Sequence, residues 1–365
     1  MDPRHHSLLR DARRALLIRL RSLGDAVLMT PVPTALKAWR PSLHVAVLIE
    51  EPFAAVFRHH PAVDEVLCLP AGAALRERLL CAAALRRSRF ELVFNMHSGS
   101  TAGLLTALSG ATLRVAYARA RFAAACQVRV ASSAEREHTV LHQLRPLAEL
   151  GIQVPRRPEL ELHVDPAARG RVAQQLAERG LRRAEYIVMQ PFSNWATKEW
   201  PAGRFAELAR LLRERYRLPI LVLAGPSETR RLDRLLALAD GSIAALRDVP
   251  VDEMIAWIEQ CALVVGNDSG PAHVAAALGR PNVVIFGSAD PEVWRPWAGP
   301  HHLLRPDFPC IPCAGDRCYE FDSPRCVESI AVPQVLEAVE RLRSQPTAAI
   351  PAAIASPLRA SARQG

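Results

Sequence analysis

The stretch IRLRSLGDAVLMTP, residues 18–31, places an acidic side chain in a turn whose other residues suit a phosphate. An apolar run, a glycine turn and a helical pattern follow one another here, and that order builds a phosphate cradle in many enzymes. Asp25 comes directly after Gly24, and its carboxylate would repel an anion lying on the start of the helix. The residues alone leave two interpretations of Asp25 open, a cap at the start of the helix or a group that does chemistry.

A second loop, GNDSGPAH at residues 266–273, combines features of an anion site. Ser269 and Gly270 leave backbone N–H groups unobstructed at a predicted helix start, where the dipole favours an anion, and Pro271 takes the first helical position. Asp268 would accept hydrogen bonds from the hydroxyl groups of a ribose or a sugar. The loop therefore predicts a site for an anionic, hydroxyl-rich ligand, with a capped helix that binds nothing as the alternative.

Lysine is rare in this chain, since 44 of the 46 basic residues are arginine and the other two are Lys37 and Lys198. Lys198 lies between Trp195 and Trp200 in a loop that follows a predicted strand. A lysine is a compact point charge, which can neutralise a phosphate. We therefore expect Lys198 to bind a phosphate and Lys37 to be an exposed helix residue. The alternative for Lys198 is an ordinary surface lysine.

Four of the eight cysteines are close together in the sequence, with the spacing C-x2-C-x4-C-x7-C. They are Cys310, Cys313, Cys318 and Cys326. Such a cluster in a cytosolic protein favours a structural zinc site or, less readily, an iron–sulfur cluster, although the spacing matches no standard zinc template. Free thiols are the alternative, and disulfides are disfavoured in that compartment.

Strand and helix patterns alternate along the chain, and the alternation starts again near residue 186. Short apolar strands separated by helices are typical of parallel sheets covered on both faces, whose ligands bind beyond the carboxyl ends of the strands. We predict two doubly wound α/β domains, residues 1–165 and 166–344, facing a central cleft, and a disordered tail at 345–365. A single helix is predicted at 25–39, and strands at 15–20, 44–50, 66–69, 91–96, 160–164, 186–191, 219–225, 242–246, 262–268 and 282–287.

The net charge of +9 is uneven along the chain. Residues 1–165 hold 22 basic and 15 acidic side chains (+7), whereas residues 166–365 hold 24 and 22 (+2). A basic first half predicts an anionic partner or an anionic membrane surface, and the alternative is a solvated surface. Nucleic acid is disfavoured as a partner because only 5% of residues are aromatic and no binding motif is present.

Targeting and membrane-spanning patterns are missing from the sequence. No apolar run approaches the ~20 residues of a membrane span. The first residues, MDPRHHSLLRDARR, lack the apolar core of a signal peptide. We therefore expect a cytoplasmic protein.

Three segments resemble glycosyltransferase family 9, the bacterial heptosyltransferases: ALLIRLRSLGDAVLMTP, PFSNWATKEWPAGRFAELA and VVGNDSGPAHVAAALGRPNVVIFGSADPEVWRPW. The resemblance runs from about residue 15 to 340 and is specific because three separate segments occur in the family's order and spacing. It implies the GT-B architecture of two Rossmann-like domains, the first for the acceptor and the second for the nucleotide sugar. It further implies inverting transfer of L-glycero-D-manno-heptose from ADP-heptose to the lipopolysaccharide inner core.

The resemblance also implies roles for single residues. Asp25 matches the family's catalytic aspartate, which would act as a general base on an acceptor hydroxyl. Lys198 matches its diphosphate-binding lysine and counts as catalytic too, and Asn194 stands where the family often has a small hydroxyl residue. The implied donor-binding set is Ser193, Asn194, Lys198, Glu228, Asp268, Ser269, Gly270, Pro271 and His273. We assign Arg19, Arg21, Ser22 and Gly24 to the acceptor side.

No metal cofactor is expected for catalysis, because the chain has no Asp-x-Asp pair to hold one beside a diphosphate. The expected acceptor is Kdo-lipid A or a core heptose, and the expected location is the cytoplasmic face of the inner membrane, bound peripherally. Two rival functions stay open: a nucleotide-sugar epimerase of the same two-domain shape, and a non-catalytic nucleotide-sugar-binding protein.

Overall fold

In this computed structural model the described residues are 3–133, 136–313 and 315–344, so the predicted tail at 345–365 lies outside them. The described residues form two parallel sheets of six strands each. Both sheets are covered by helices, and this explains why strands such as the LVFN and ILVL segments are buried along their whole length.

The first sheet has the strand order β3-β2-β1-β4-β5-β6, the doubly wound order of a dinucleotide-binding domain. Its strands are β1 Arg14–Ile18, β2 His44–Glu50, β3 Glu65–Leu69, β4 Leu92–Asn95, β5 Leu113–Tyr117 and β6 Val128–Val130. Its helices are α1 Pro3–Asp11, α2 Leu23–Leu28, α3 Pro31–Trp39, α4 Leu75–Arg87, α5 Ser100–Leu108 and α6 Thr139–Glu149.

The second sheet has the order β12-β11-β10-β7-β8-β9. Counted from β9, this is the same order as in the first sheet. Its strands are β7 Ile187–Gln190, β8 Ile220–Leu223, β9 Ala244–Leu246, β10 Leu263–Asn267, β11 Asn282–Ile285 and β12 His301–Leu304. The helices are α7 Pro166–Glu178, α8 Ala202–Tyr216, α9 Thr229–Ala239, α10 Val251–Gln260, α11 Gly270–Ala277, α12 Pro291–Trp294, α13 Arg325–Glu328 and α14 Val332–Ser344. The predicted α/β class with two doubly wound sheets is confirmed.

The strand order fixes where a ligand should bind. The order reverses between β1 and β4 in the first sheet and between β7 and β10 in the second. A crevice opens at such a reversal, because the neighbouring crossovers run to opposite faces of the sheet. The loops after these four strands are therefore the natural place for a site.

Several predicted elements differ from the structure. The single helix predicted at 25–39 is two helices, because Pro31 lacks an amide hydrogen and starts a new one. The strand predicted at 160–164 does not form; instead, the backbone N–H of Glu161 donates to Thr30 Oγ1 at 3.0 Å. Strands β5, β6 and β12 were not predicted, since each interrupts its apolar pattern with arginine or histidine.

The boundary predicted between residues 165 and 166 stays a prediction. Helix α7, which follows it, is tied to α10 of the second half by ion pairs from Arg169 to Glu259 and from Arg171 to Glu253, each at 2.7 Å. Among the described residues, no helix is long and apolar enough to cross a membrane.

Candidate active site

Two helix starts, one from each half of the chain, meet at the centre of the molecule. A Cβ atom on Gly24 of α2 would lie 2.8 Å from Cδ2 of His273, and one on Gly270 of α11 would lie 3.0 Å from Cβ of Leu23. Real Cβ atoms do not approach so closely without displacing a neighbour. Glycine at both positions is therefore what lets the two helix starts touch.

A cavity of about 780 Å³ lies beside this contact and is lined by both halves. The first half contributes Arg19, Arg21, Ser22, Gly24, Asp25, His97 and Ser98. The second contributes Ser193, Asn194, Trp195, Lys198, Asp268, Ser269, Gly270, His273 and Trp294, among others. Most of the residues predicted for the site are thus brought together at the reversal points of the two sheets.

The carboxylate of Asp25 faces this cavity and also serves its own helix. It forms an ion pair with Arg19 and accepts hydrogen bonds from the hydroxyl of Ser22 at 3.0 Å and from its backbone N–H at 3.4 Å. The side chain keeps 19% of its surface exposed. Both interpretations of Asp25 are thus compatible with its geometry, since a capping carboxylate can still meet a ligand.

Arg19 was assigned to the acceptor, but its strongest contacts are internal. One guanidinium nitrogen pairs with Asp25 and another donates to the backbone carbonyl of Met96 at the end of β4. Arg19 therefore bridges the ends of β1 and β4 and holds the carboxylate in place. The other residues assigned to the acceptor also line the cavity: Arg21, Ser22 and Gly24.

Lys198 lies at the opposite side of the cavity, on a short 3-10 turn. Its Nζ is 2.7 Å from Oδ2 of Asp268, which is 4% exposed. The same Nζ lies 5.0 Å from the ring centre of Trp195 and 5.9 Å from that of Trp294. An ammonium group has three donors, so the pair with Asp268 orients Lys198 and leaves donors for a ligand. Lys37 instead pairs with Asp64, 2.7 Å away and outside the cavity.

A buried hydroxyl network holds the turn that carries Lys198. Thr197 donates to the backbone carbonyl of Gly315 at 2.6 Å and accepts from the hydroxyl of Ser288 at 2.9 Å. A Cβ on Gly287 would clash with the carbonyl oxygen of Thr197. The backbone N–H of Cys313 donates to the backbone carbonyl of Ser288 at 2.9 Å, so the cysteine-rich segment supports the lysine turn. Sequence reasoning missed Thr197, although it directly precedes Lys198.

The start of α11 is arranged for an anion. The hydroxyl of Ser269 donates to the carbonyl of Asn267 at 3.3 Å, and no described side chain caps the helix. Within the first turn, the backbone N–H of Ala272 donates to the carbonyl of Ser269 at 3.0 Å and Pro271 has no N–H. The amide groups of Ser269 and Gly270 are therefore the ones that the described part of the chain leaves for a ligand. His273, in the next turn, is 4% exposed. Burial lowers the pKa of His273, and the nearby charges of Asp268 and Asp25 offset only part of that shift.

A neighbouring cavity of about 670 Å³ continues the cleft and is lined by Glu228. Burial raises the pKa of Glu228, and its Oε2 accepts from the backbone N–H of Gly225 at 2.9 Å. Apolar walls come from Phe192, Val249, Pro250 and Met254, while Ser193, Asn194, Ser269 and Pro271 also line it. The carboxylates of Glu51, Asp248 and Asp252 line it too, so apolar walls meet several groups that can accept hydrogen bonds from the hydroxyls of a nucleoside. A larger cavity of about 850 Å³, between α3 and residues 151–163, contains none of the predicted site residues.

His97 is a further cavity residue, which the sequence left unassigned. It follows β4, and its Nδ1 is 3.1 Å from the carbonyl oxygen of Arg21. Burial lowers the pKa of His97, and the charge of Arg19 adds to that shift. Its position at a reversal point of the sheet is the signal that would have found it.

The four clustered cysteines are free thiols in this structure, and Cys326 is buried. Among the described residues, no three His, Cys, Asp or Glu side chains are arranged to hold a metal ion. The zinc site therefore stays a prediction.

Comparison with known proteins shows the same architecture. A family model described as Glycosyltransferase family 9 (heptosyltransferase) matches residues 78–321, which include Lys198 and the 266–273 loop but not Asp25. Lipopolysaccharide heptosyltransferase 3 of Escherichia coli is 24% identical over 76% of this chain and 85% of its own length. Lipopolysaccharide heptosyltransferase 1 of Pseudomonas aeruginosa is 27% identical over 84% and 87%. The structure of E. coli ADP-heptose lps heptosyltransferase II superimposes with a TM-score of 0.74 at 19% identity, over 90% of this chain and 98% of that one. The predicted GT-B fold is confirmed.

Proposed function

Because the chain belongs to glycosyltransferase family 9 (heptosyltransferase), we propose that it transfers a heptose from ADP-L-glycero-D-manno-heptose to the inner core of lipopolysaccharide. One observation carries the proposal. A single cavity has the carboxylate of Asp25 on one side and, on the other, Lys198 with the open start of α11. That is the arrangement that glycosyl transfer needs, with a proton acceptor facing a diphosphate site.

The donor binds the second half of the chain. Its diphosphate lies against Lys198 and the amide groups at the start of α11, and its nucleoside enters the neighbouring cavity, where Glu228 meets the ribose. Asp268 fixes the direction of Lys198, to which it is paired at 2.7 Å. Ser193 and Asn194 line both cavities and so border the donor at the junction of nucleoside and diphosphate.

The acceptor lies on the side of Asp25. As its hydroxyl oxygen forms a bond to the anomeric carbon, the proton moves to Asp25 and the bond from that carbon to the diphosphate oxygen breaks. The bonding electrons leave with ADP, whose charge Lys198 and the helix start stabilise. Attack opposite the leaving group inverts the anomeric centre. A general base of this kind contributes roughly 10²–10⁴-fold.

The two arginines at the end of β1 have different roles in this proposal. Arg19, which is paired with Asp25, positions the base, while Arg21 and His97 meet the anionic groups of the acceptor. Kdo carboxylates or lipid A phosphates supply such groups if the acceptor is Kdo-lipid A, and core phosphates supply them if it is a core heptose. Ser22 and Gly24 form the floor under the reacting hydroxyl.

We further propose that transfer needs no metal ion. Lys198 supplies the positive charge that a divalent cation would supply elsewhere, and the sequence has no Asp-x-Asp pair. EDTA added to the purified enzyme is expected to leave the initial rate unchanged. An immediate loss of activity that magnesium restores would contradict this.

The cysteine cluster takes part in no step of the reaction. We retain a structural zinc at Cys310, Cys313, Cys318 and Cys326 as a proposal that the sequence spacing supports. Elemental analysis of the purified protein for zinc and iron tests it, and a metal content near zero in active enzyme would rule it out.

The proposed location is the cytoplasmic face of the inner membrane, held peripherally. The supporting observation is the charge of +7 in residues 1–165, since an anionic leaflet attracts a basic surface.

Release of ADP from the purified chain tests the function. A transferase releases ADP only with both ADP-heptose and a core acceptor present, and nuclear magnetic resonance of the product would show an inverted anomeric centre. An epimerase would convert the donor without acceptor, and a binding protein would release nothing. Mass spectrometry of the lipopolysaccharide core after gene deletion would then identify the acceptor.

A further inference from the structure

Helix α4 carries an exposed apolar surface that no described element covers. Leu75, Leu79 and Leu80 are 63%, 48% and 57% exposed, whereas Ala82 and Leu85 on its inner side are buried. At about 100° per residue, these three leucines span roughly 140° on the outer side of the helix. Three large aliphatic side chains exposed on one helix mark an interaction surface rather than scattered surface residues.

The same side of α4 is positively charged. Arg76, Arg86 and Arg87 fall within the sector of the leucines, and among the described residues none of the three forms an ion pair. The acidic residue of the helix, Glu77, is turned to its own N-terminus, where it accepts from the backbone N–H of Ala74 at 2.6 Å. We call Leu75, Leu79, Leu80, Arg76, Arg86 and Arg87 the α4 surface.

A second exposed apolar side chain lies at the same end of the sheet. Phe122 follows β5, is 54% exposed and has a φ of +61°, a left-handed conformation that is costly for a bulky residue. Its loop packs on α5, since a Cβ on Gly103 would lie 3.0 Å from the Phe122 ring. Helix α5 in turn packs against α4, and exposed Arg119 and Arg121 flank the phenylalanine.

The position of these groups relates them to the cleft. All strands of the sheet are parallel, so α4, the Phe122 loop and the Asp25 turn all start from the carboxyl edge of the same sheet. Leu75 and Leu79 belong to the first turns of α4 and therefore lie at that edge. A surface that holds this edge against a bilayer would bring a lipid-anchored acceptor towards Asp25.

We propose that the α4 surface, with Phe122 beside it, inserts into an anionic bilayer. Leucines flanked by arginines match the apolar interior and the anionic headgroups of such a membrane, because each arginine can extend its charge towards the headgroups while the leucines are buried. The link to the acceptor rests on the proposed function, but the binding of the surface to lipid does not.

Vesicle co-sedimentation tests the proposal on the full chain. The wild type is expected to bind vesicles that contain phosphatidylglycerol and to bind pure phosphatidylcholine weakly. The double variant Leu79→Glu with Leu80→Glu should lose at least ~10-fold in binding, and Arg86→Gln with Arg87→Gln should weaken binding and reduce its dependence on salt. The matched control is Leu238→Glu, a leucine 58% exposed on α9, which should bind like the wild type.

Two readouts separate this proposal from the proposed function. With a deacylated, soluble acceptor the Leu79/Leu80 variant should turn over as the wild type does, and its melting temperature should be unchanged; with acceptor embedded in vesicles its rate should fall. Equal vesicle binding by variant and wild type overturns the membrane surface. A wild-type dimer that the variant converts to monomer, with vesicle binding unchanged, also overturns it in favour of a contact between two copies. Absence of transfer to soluble acceptor would contradict the enzyme function and leave the vesicle result standing.

Discussion

The two helix starts at the cleft, α2 and α11, have the same surroundings but opposite electrostatics. Each follows a central strand of a doubly wound sheet, each includes a glycine that touches the other half, and each has an aspartate paired with a cation. In α2 the aspartate comes after the glycine, inside the first turn, and fills the start of the helix. In α11 Asp268 comes before Ser269 and Gly270, so the helix start is left open to an anion.

Under the proposed function, this difference of a few residues decides which half of the molecule binds the acceptor and which binds the donor. A carboxylate inside the first turn occupies the place where a phosphate would sit, and it stays 19% exposed to meet a hydroxyl. A carboxylate ahead of the helix is 4% exposed and orients a lysine instead. In that proposal, the same fold gives a proton acceptor in one copy and a diphosphate site in the other.

Removing the charge of Asp25 is expected to have the largest effect. Asp25→Asn keeps the acceptor oxygen for Ser22 but removes the base, so turnover should fall at least ~100-fold while the KM for the donor changes by no more than a few-fold. Steady-state kinetics of ADP release measures both. The control is Asp165→Asn. The carboxylate of Asp165 lies outside the cavity and caps α7 by accepting from the backbone N–H of Ala167 at 2.8 Å. Near-normal turnover of folded Asp25→Asn would mean that Asp25 only caps α2 and is not the base.

The next effect separates the two lysines. Lys198→Ala removes the charge beside the open helix start, and we expect the affinity for ADP-heptose to fall roughly 10–100-fold, the size of a lost charge-assisted hydrogen bond. Isothermal titration calorimetry with ADP, the part of the donor that carries the diphosphate, measures the change in affinity. Lys37→Ala, which loses a pair outside the cavity, should leave affinity unchanged. If both variants bind ADP alike, the contrast between the two helix starts does not come from Lys198.

A smaller effect concerns the contact between the helix starts. Gly24→Ala places a Cβ against the His273 ring and should push the two halves apart by a few tenths of an ångström. We expect kcat/KM to fall by about tenfold or less, because reacting groups on opposite sides lose alignment. Gly203→Ala on α8 meets nothing within 4 Å and is the control. Unchanged kinetics for Gly24→Ala would show that the halves tolerate a wider separation.

The smallest effect concerns a contact of the two halves away from the cleft. His138 at the start of α6 contacts the carbonyl of Arg295 at 2.8 Å, and burial lowers its pKa to about 4 from an ordinary value near 6.5. Between those values the unfolded chain binds a proton that the folded chain does not, so stability falls as the pH drops. The contribution lost by about pH 5 is roughly 2 kcal/mol.

Urea unfolding at about pH 7 and about pH 5 tests this. The variant His138→Gln should lose less stability between the two pH values than the wild type does. An equal loss would mean that His138 has the same pKa in the folded and the unfolded chain. Other buried histidines, such as His60 and His273, would then cause the acid sensitivity.

The sequence predicted the parts of the fold and the site that depend on local pattern. Central strands such as β7 and β10 are buried along their whole length, and the loops after them hold polar residues that the structure brings together. Strands β6 and β12 are at sheet edges, where one side is exposed and an arginine or histidine costs little, so their pattern was too weak to recognise.

Individual side-chain contacts could not be predicted in the same way, whether their partners are far apart in the chain or near. The hydrogen bond from Thr197 to Gly315 joins residues 118 positions apart, and no local pattern reports such a pair. To predict the ion pair of Arg19 with Asp25, one must know where the side chains point at the end of β1, and the spacing of apolar residues does not give that. The assignment of Arg19 to the acceptor side stays a prediction, to which the structure adds the ion pair with Asp25.

The two indole rings beside Lys198 give the cleft an optical signal. Trp195 and Trp294 both lie within 6 Å of the ammonium group, while Trp200 and Trp257 are fully buried in the core and form a constant background. A diphosphate that draws the charge of Lys198 towards itself changes the electric field on those two rings. Tryptophan emission is therefore expected to follow occupancy of the proposed donor site in the unmodified protein, without any label.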